Sequence, residues 1–244
     1  MSRNWAAACK IWKRCTLKKS DGSALNVCFI EWPRDRTEEL VNFQMTQYVP
    51  RELTYRISGL PYNEEAMKEY RGILKHILSD HAIFPMVCCE EKDSNILPNI
   101  IASDVMKLVK RGDPRSDGIP PNLKTKEVRE YCRILRDWNN LYPIPSLMEK
   151  FDLEIFYDDL GCGVHSDYSG YDIAYHVLSL RRDVCQARGV PMTGAWMSSI
   201  ASDKATTRAG WEEVYAVTRE DLEKVLNLSL ESGPSIFKYK LLRV

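Results

Sequence analysis

The strongest constraint on the fold is the stretch VHSDYSGYDIAYHVLSLRR, residues 164–182, which reads as a strand end, a turn and a helix. The preceding segment LEIFYDDLGCGV (153–164) predicts a strand with a glycine-rich end. The first N–H groups of a helix have no partner within the helix, and the helix dipole adds partial positive charge there. The turn could therefore bind an anion, although an ordinary strand–helix connection produces the same pattern.

Composition excludes several classes of protein. The 244 residues include 34 Lys plus Arg against 34 Asp plus Glu, so no excess positive charge predicts binding to nucleic acid or to a membrane. The sequence contains no run of about 18 apolar residues, so we predict no membrane span. Its first residues lack the apolar core of a signal peptide. The eight cysteines form no C-x-x-C and have no histidine at zinc-like spacing. We therefore expect reduced thiols, no metal, a cytoplasmic location and a monomer.

Periodicity along the chain predicts one α/β domain of the α+β type, with a mixed, mostly antiparallel sheet flanked by helices. Asn63 and Thr125 are expected to begin two of the helices. We assign residues 1–23 to an N-terminal extension, with a solvated strand in KIWKRCTLKK, and residues 24–244 to the domain. The Gly/Pro-rich insertion 111–122 is either a linker or a functional surface loop. The predicted strands are 24–32, 84–91, 95–109, 153–164, 193–200, 211–217 and 236–244.

A few polar side chains could carry chemistry. Ser202 is predicted to be the N-cap of a helix at 203–209, whereas Ser198, at a strand end, has no such structural role and could face a cleft. Glu52 lies between Arg51 and Arg56, where a surface salt bridge is the plain interpretation. In an apolar cleft it would instead have a raised pKa and could act as a general base. The four histidines form no recognisable hydrolase triad with Ser and Asp.

Three segments together resemble a known family. VHSDYSGYDIAYHVL is similar to its acetyl-CoA turn, TGAWMSSIASDKATTRAGWEEVY to the strand–helix–strand that follows, and VNFQMTQYVPRELTYRISGL to its first helix pair. The hairpin around FPMVCCEE also fits. The chain therefore resembles the GCN5-related N-acetyltransferase (GNAT) superfamily, in particular the insect arylalkylamine (dopamine-type) N-acetyltransferases, over roughly residues 25 to 243.

The resemblance implies a function. It predicts transfer of an acetyl group from acetyl-CoA to a small primary amine, with Glu52 as the general base and Ser198 and Ser202 as further active-site residues. It also implies that the strand end binds the pantetheine arm and that the turn wraps the pyrophosphate. The residues that it assigns to the cofactor are Cys162, Gly163, Val164, Ser169, Gly170, Tyr171, Asp172, Ile173 and Ala174.

Two positions of the turn depart from the family pattern. Ser169 stands where the family has Arg or Gln, and Asp172 stands where it has Gly. A carboxylate near phosphates is repelled, by about 3 kcal/mol for a contact at ~5 Å in an effective dielectric near 20. Two alternatives therefore stay open. One is a catalytically impaired binding protein with this fold, and the other is an acyltransferase that uses a different acyl donor.

Overall fold

One eight-stranded mixed sheet forms the centre of the computed structural model, which describes residues 9–91, 99–113, 122–230 and 232–244. The strand order is β1-β2-β3-β4-β5-β6-β8-β7. All neighbours are antiparallel except β5 and β6, which are parallel. The strands are β1 Ile11–Lys18, β2 Ala24–Glu31, β3 Ile83–Glu90, β4 Ile100–Lys110, β5 Ile155–Val164, β6 Met192–Met197, β7 Glu212–Thr218 and β8 Ile236–Arg243.

Helices cover both faces of the sheet. The helices are α1 Thr37–Phe43, which continues as a π-helical turn over Gln44–Tyr48, α2 Leu53–Ile57, α3 Glu64–Ser79, α4 Lys126–Asn139, α5 Ile144–Lys150, α6 Ile173–Arg188, α7 Ile200–Arg208 and α8 Arg219–Leu226. Side chains of α1 to α4 pack on one face through Cys28, Ile30 and Val87. Helix α6 packs on the opposite face, against Phe29 and Met86. The alternation of side chains along each strand therefore separates two cores.

The sequence predictions are largely confirmed at this level. The single domain with a mixed, mostly antiparallel sheet is present, and Asn63 caps α3 by accepting hydrogen bonds from Glu65 N and Ala66 N. Residues 11–18 of the predicted N-terminal extension belong to the sheet, because β1 pairs with β2 along its length. The short helices α5 and α8 were not predicted, since seven or eight residues give little periodicity, and α2 was expected only from the resemblance of 41–60 to a helix pair.

One predicted helix start was wrong. The N-cap of α7 is Ser199, not Ser202, because the helix begins earlier than predicted. Ser202 is the third helical residue and forms the other half of a capping box with Ser199, each side chain accepting a bond from the other's backbone N–H.

Parts of the predicted β3–β4 connection and of the insertion lie outside the described residues. These are the turn at 92–95, Pro98 and most of 111–122. Within the part of the chain that the structure describes, no helix is long and apolar enough to cross a membrane. The same residues include no group of three or more His, Cys, Asp or Glu side chains placed to hold a metal ion.

A buried ion cluster joins helix α6 to the sheet. The Arg181 side chain is fully buried and its guanidinium binds Asp104 on β4 and Asp159 on β5. The same guanidinium approaches the hydroxyl of Thr193 on β6 at 3.5 Å. Burial alone would lower the pKa of Arg181, but the two carboxylates raise it well above its ordinary value, so the group stays charged. One side chain thus ties three adjacent strands to the helix.

The parallel strands β5 and β6 separate just beyond this cluster. They pair only at Tyr157 with Thr193 and at Asp158 with Gly194. From there to Val164, strand β5 is paired with β4 on its other side, with an irregularity in register near Gly161. The gap between β5 and β6 opens toward the turn that leads into α6. We call this separation of β5 and β6 the splay, and the candidate site lies beside it.

Candidate functional site

Glu52 is the N-cap of α2 and lies on the α1–α4 face of the sheet. Its carboxylate accepts hydrogen bonds from Thr54 N at 2.7 Å and from the Thr54 hydroxyl. Burial raises the pKa of Glu52 above its ordinary value, while these bonds and one from the Ser198 hydroxyl oppose the rise. The predicted surface salt bridge with the neighbouring arginines is therefore not what the structure shows. The Glu52 carboxylate is half-buried, and its bonds come from the first backbone and side-chain groups of α2.

Ser198 and Ser202 differ in role. Gly194, Trp196 and Ser198 alternate on one face of β6 and its extension, which brings the Ser198 hydroxyl to the Glu52 carboxylate. The Ser202 hydroxyl is used locally, donating to Ser199 O at 2.9 Å and accepting from Ser199 N at 3.3 Å. Of the two predicted serines, only Ser198 is placed against Glu52.

Tyr48 covers the glycine-rich end of β5 on the same face. A Cβ atom on Gly161 would lie 2.5 Å from the Tyr48 hydroxyl oxygen, and one on Gly163 would lie 2.9 Å from its ring. Both positions therefore require glycine for this packing. Burial and the nearby Glu52 raise the pKa of Tyr48 well above its usual value, so it remains a neutral phenol. The pair of glycines in LGCGV was the sequence signal for this close approach.

The turn before α6 has the backbone expected of an anion-binding turn. Gly170 has a left-handed φ of +86° and Asp172 a left-handed φ of 58°. Asp172 is the N-cap of α6, but its side chain makes no capping hydrogen bond. No side chain therefore caps the first N–H groups of this 16-residue helix, which leaves them for a ligand oxygen or for water.

The charge of Asp172 has a partner that the sequence did not reveal. Arg208, from α7, donates to the Asp172 carboxylate at 3.0 Å and lies 3.6 Å above the Tyr175 ring. Both charged groups are more than half exposed, so the pair adds little stability. The predicted repulsion between Asp172 and a bound phosphate is nevertheless reduced, because a cation is held beside the carboxylate.

Other cations approach the turn although Ser169 supplies none. The Lys19 side chain passes beside Gly170, and its ammonium lies 4.5 Å from the Tyr171 ring centroid. Lys13 lies 3.3 Å from His176 Nδ1. The Arg51 guanidinium, one residue before Glu52, donates to the carbonyl of Val164 at the end of β5. The lysines come from β1 and the β1–β2 turn.

These features can be tested against the cofactor that the resemblance implies. Beyond Asp158, β5 has no partner strand on the side of β6, so the edge over Cys162 and Gly163 could pair with a pantetheine arm, while the Val164 carbonyl accepts from Arg51. The uncapped helix start at Ile173 and Ala174 offers N–H groups to a pyrophosphate. The residues present therefore fit an acyl-CoA, although Ser169 contributes no charge.

Sequence reasoning missed several polar residues around the splay. Asp158 and Asp159 were included in a predicted strand without a role, yet they lie on opposite faces at the point where β5 and β6 part. Arg181 was assigned no role, although it holds the sheet together. The two consecutive aspartates inside an otherwise apolar strand were the available signal, because buried carboxylates need partners.

Comparison with known proteins shows the fold. No protein-family model matches the chain, and no curated protein sequence is significantly similar to it. A solved structure named as an insect arylalkylamine N-acetyltransferase 7 from the mosquito Aedes aegypti superposes with a TM-score of 0.77. It is 19% identical in sequence, over 96% of this chain and 95% of that one.

Two further solved structures have a similar fold. The polyamine N-acetyltransferase of Drosophila melanogaster, which forms N-acetylagmatine, is 16% identical over 89% of this chain and 100% of its own, with a TM-score of 0.63. Arylalkylamine N-acetyltransferase 2 of Aedes aegypti is 11% identical over 89% and 98%, with a TM-score of 0.67. The GNAT-like fold predicted from the sequence is thereby confirmed: this chain has the fold of the insect arylalkylamine N-acetyltransferases.

Proposed function

We propose that the chain is an acetyl-CoA-dependent N-acetyltransferase that acts on a small primary amine, with arylalkylamines as the first candidates. The observation that carries the proposal is the half-buried Glu52 carboxylate, whose pKa burial raises, beside the splay of β5 and β6. The splay leads to an uncapped helix start that suits a pyrophosphate. The acyl-donor and proton-transfer groups thus share one cleft.

Acetyl-CoA supplies an activated thioester, and an acceptor amine reacts with it only when neutral. Most alkylamines are protonated at pH 7, so a base in the site must remove a proton. Glu52 is the group placed to accept it, directly or through a water, and its raised pKa brings its basicity closer to the working pH. The Ser198 hydroxyl near this carboxylate acts to lower its pKa and so favours the ionised base. Tyr48 excludes water from the strand edge.

A second candidate is a binding protein with this fold and no activity. The observation that favours it is the turn, where Ser169 provides no cation and Asp172 is paired with Arg208. An enzyme that uses another acyl donor would also depend less on the pyrophosphate contacts. The eight free cysteines accord with the proposed cytoplasmic location, and we keep the predictions of a monomer and of no nucleic-acid or membrane partner.

Calorimetry with acetyl-CoA separates these candidates. We expect binding at micromolar concentrations, followed by release of free CoA when 2-phenylethylamine, tyramine or 1,5-diaminopentane is added. Absence of acetyl-CoA binding at high micromolar concentration would overturn the enzyme proposal. Binding without acetyl transfer to any amine would favour the non-catalytic protein. Binding of a longer acyl-CoA with faster turnover would identify a different donor.

A further inference from the structure

The hairpin formed by β1 and β2 contacts the turn before α6. Lys19 and Ser23 close the hairpin, and Lys19 N donates to the Ser23 carbonyl at 2.9 Å. The hydroxyl of Tyr171, in the turn before α6, donates to Ser23 Oγ at 3.2 Å. The Lys19 side chain lies beside Gly170, with its Cε 3.7 Å from the position that a Cβ on this glycine would take. Two residues of the segment assigned to an N-terminal extension thus adjoin the predicted cofactor turn.

The direction of the Lys19 side chain follows from the alternation of side chains in β1. Cys15 and Leu17 pack into the core beneath α6, together with Ile173. Lys19 comes two residues after Leu17 and lies on the same side, against the turn. Lys18, between them, is exposed, and the alternation directs it to the opposite face. Of these two adjacent lysines, only Lys19 is therefore placed at the turn.

The turn offers backbone donors beside this lysine. Among the described residues, no backbone carbonyl accepts the N–H of Gly170, Tyr171 or Asp172. The N–H groups of Ile173 and Ala174 follow at the uncapped start of the helix. Such donors bind anions, and a diphosphate has enough oxygens to use several of them. The turn thus provides hydrogen bonds for a diphosphate, but its own side chains provide no positive charge.

Three other cations near the turn already have partners. Arg208 donates to the Asp172 carboxylate at 3.0 Å, and that pair carries no net charge. The Arg51 guanidinium donates to a backbone carbonyl at the end of β5. Lys13 lies beside His176 Nδ1, within α6 rather than at the turn. None of the three is placed to neutralise an anion at the turn without first giving up its present contact.

Lys19 differs from these cations. Its ammonium lies 4.5 Å from the Tyr171 ring centroid, and no carboxylate of the described residues forms a salt bridge with it. The neighbouring Asp21 carboxylate is used within the hairpin, where it accepts the Ser23 N–H at 2.8 Å and the Ser23 hydroxyl at 2.6 Å. A lysine ammonium sits on a flexible four-carbon stem and has three donors. The Lys19 ammonium can therefore turn from the ring to a phosphate held by the adjacent N–H groups.

We propose that Lys19 binds the diphosphate of the cofactor and supplies the positive charge that Ser169 does not. This inference rests on the proposed function, because it takes the turn before α6 as the cofactor turn. The β1–β2 hairpin is then part of the cofactor site rather than an extension of the domain. Lys19 acts in binding and takes no part in the acetyl transfer.

Titration calorimetry on the full chain tests the proposal. CoA, 3′-dephospho-CoA and ADP all carry a diphosphate, and of the three only CoA has a 3′-phosphate as well. We expect Lys19→Met to raise the Kd of all three by about five- to tenfold, because a charge-assisted hydrogen bond to phosphate is lost. Lys18→Met, the same change one residue earlier, is the matched control and should leave each Kd within about twofold of wild type, because solvent screens a distant charge.

Two further measurements separate binding from a structural role in the hairpin. The conservative variant Lys19→Arg keeps the charge and should keep the Kd within about threefold of wild type. Ser169→Arg, at an exposed position of the turn, should tighten CoA binding more in the Lys19→Met background than in wild type, because the diphosphate there lacks another cation. A lysine that only supports the hairpin would make the two effects additive. Thermal unfolding verifies that each variant is folded.

Three results would overturn the inference. One is a Kd for CoA that Lys19→Met leaves unchanged, and another is an equal rise in Lys18→Met. The third is a loss with CoA that 3′-dephospho-CoA does not show, which would assign Lys19 to the 3′-phosphate instead.

The proposed function is judged separately by the same titrations. Binding of ADP that depends on Lys19, without any binding of acetyl-CoA, would overturn the proposed function and leave the diphosphate site standing. Binding of acetyl-CoA and acetyl transfer to an amine, both unchanged in Lys19→Met, would retain the function and overturn the inference. Absence of binding by both CoA and ADP would overturn both.

Discussion

Two sets of polar groups lie on opposite faces of the sheet at the same strands, and they differ in how deeply they are buried and how well they are paired. On the α6 face, Arg181 is bound to Asp104 and Asp159, and both Arg181 and Asp104 are fully buried. On the other face, the Tyr239 hydroxyl is enclosed and no described group hydrogen-bonds to it, while the Asp158 carboxylate is half-buried and accepts the backbone N–H of Asp159. Asp158 and Asp159 are consecutive residues of one strand, so the difference arises from the two environments.

The comparison separates support from recognition. A buried charge that is fully paired ties elements together, and removing one member leaves the other uncompensated. A buried polar group without a partner contributes no such link and lowers stability until a ligand pairs with it. The α6 face therefore holds the splay in shape, and the Glu52 face is where we propose that the substrates bind.

The largest effect on stability should come from removing Arg181 from its ion cluster with Asp104 and Asp159. Arg181→Met leaves Asp104 buried without its cation, and we expect a loss of about 3–5 kcal/mol in the free energy of unfolding, measured in urea. Arg182→Met is the control, since Arg182 donates only to the carbonyl of Arg243 and should cost less than about 1 kcal/mol. Equal losses in the two variants would mean that the buried cluster does not support the sheet.

Glu52→Gln should act on rate while leaving the fold intact. We expect turnover to fall by about 10²- to 10⁴-fold, with acetyl-CoA affinity unchanged, because the base is lost and the fold is kept. Wild-type turnover should rise with pH as Glu52 ionises, and the variant should lose that rise. Glu149→Gln, at an exposed position of α5, is the control. A pH–rate profile that Glu52→Gln leaves unchanged would remove Glu52 from the mechanism.

The Asp158→Asn variant tests the raised pKa of Asp158 through the pH dependence of the free energy of unfolding. The folded pKa of Asp158 is raised from 3.8 to about 7, so the folded chain holds a proton that the unfolded chain releases between those values. Wild-type stability should therefore fall as pH rises from about 4 to about 7. Because solvent screens the carboxyl, we expect this loss of stability to be about 2 kcal/mol, less than the full pKa shift would give. The Asp158→Asn variant should not show the loss. Denaturation in urea at pH 5 and pH 8 checks this. A stability difference between variant and wild type that is the same at both pH values would contradict it.

Asp172→Gly tests a surface pair rather than a buried one. Glycine suits the left-handed φ of 58°, removes a carboxylate near the pyrophosphate turn and releases Arg208. We expect CoA to bind about tenfold more tightly, which is about 1.4 kcal/mol, by titration calorimetry. Arg208→Met in the same background should reverse part of the gain. Unchanged affinity in Asp172→Gly would show that the turn does not contact the phosphates.

The smallest effect concerns the two serines of α7. Ser199→Ala removes the N-cap and should cost about 1 kcal/mol of stability, whereas Ser202→Ala removes only the reciprocal bond and should cost less. Thermal unfolding of the two variants measures the difference. If Ser202→Ala instead lowered turnover more than it lowered stability, its predicted active-site role would regain support.

Much of the fold could be predicted because its elements are long and periodic. The strand, turn and helix between residues 153 and 182 were identified from spacing, and Asn63 from its position before a helix. Shorter elements such as α5 were not predicted, because two helical turns show little periodicity. The N-cap of α7 was misplaced by three residues because either serine could cap the helix and only the backbone decides between them.

The site was predicted in part. Glu52 and Ser198 were identified by resemblance, but nothing along the chain shows that their side chains meet, because 146 positions separate them and pairing across the sheet decides it. Asp172 was predicted to repel a phosphate on the basis of its charge. Its partner Arg208 comes from another helix, so the compensation is visible only in three dimensions.

The sequence alone determined the order of the strands and of the longer helices, the turn before α6 and the presence of two consecutive aspartates in β5, because these depend on local periodicity and residue type. The tertiary structure decided which aspartate meets Arg181 and which is left beside Tyr239. The physical reason is the alternation of side chains in a strand. Neighbouring residues enter different cores, and the partners there come from distant parts of the chain.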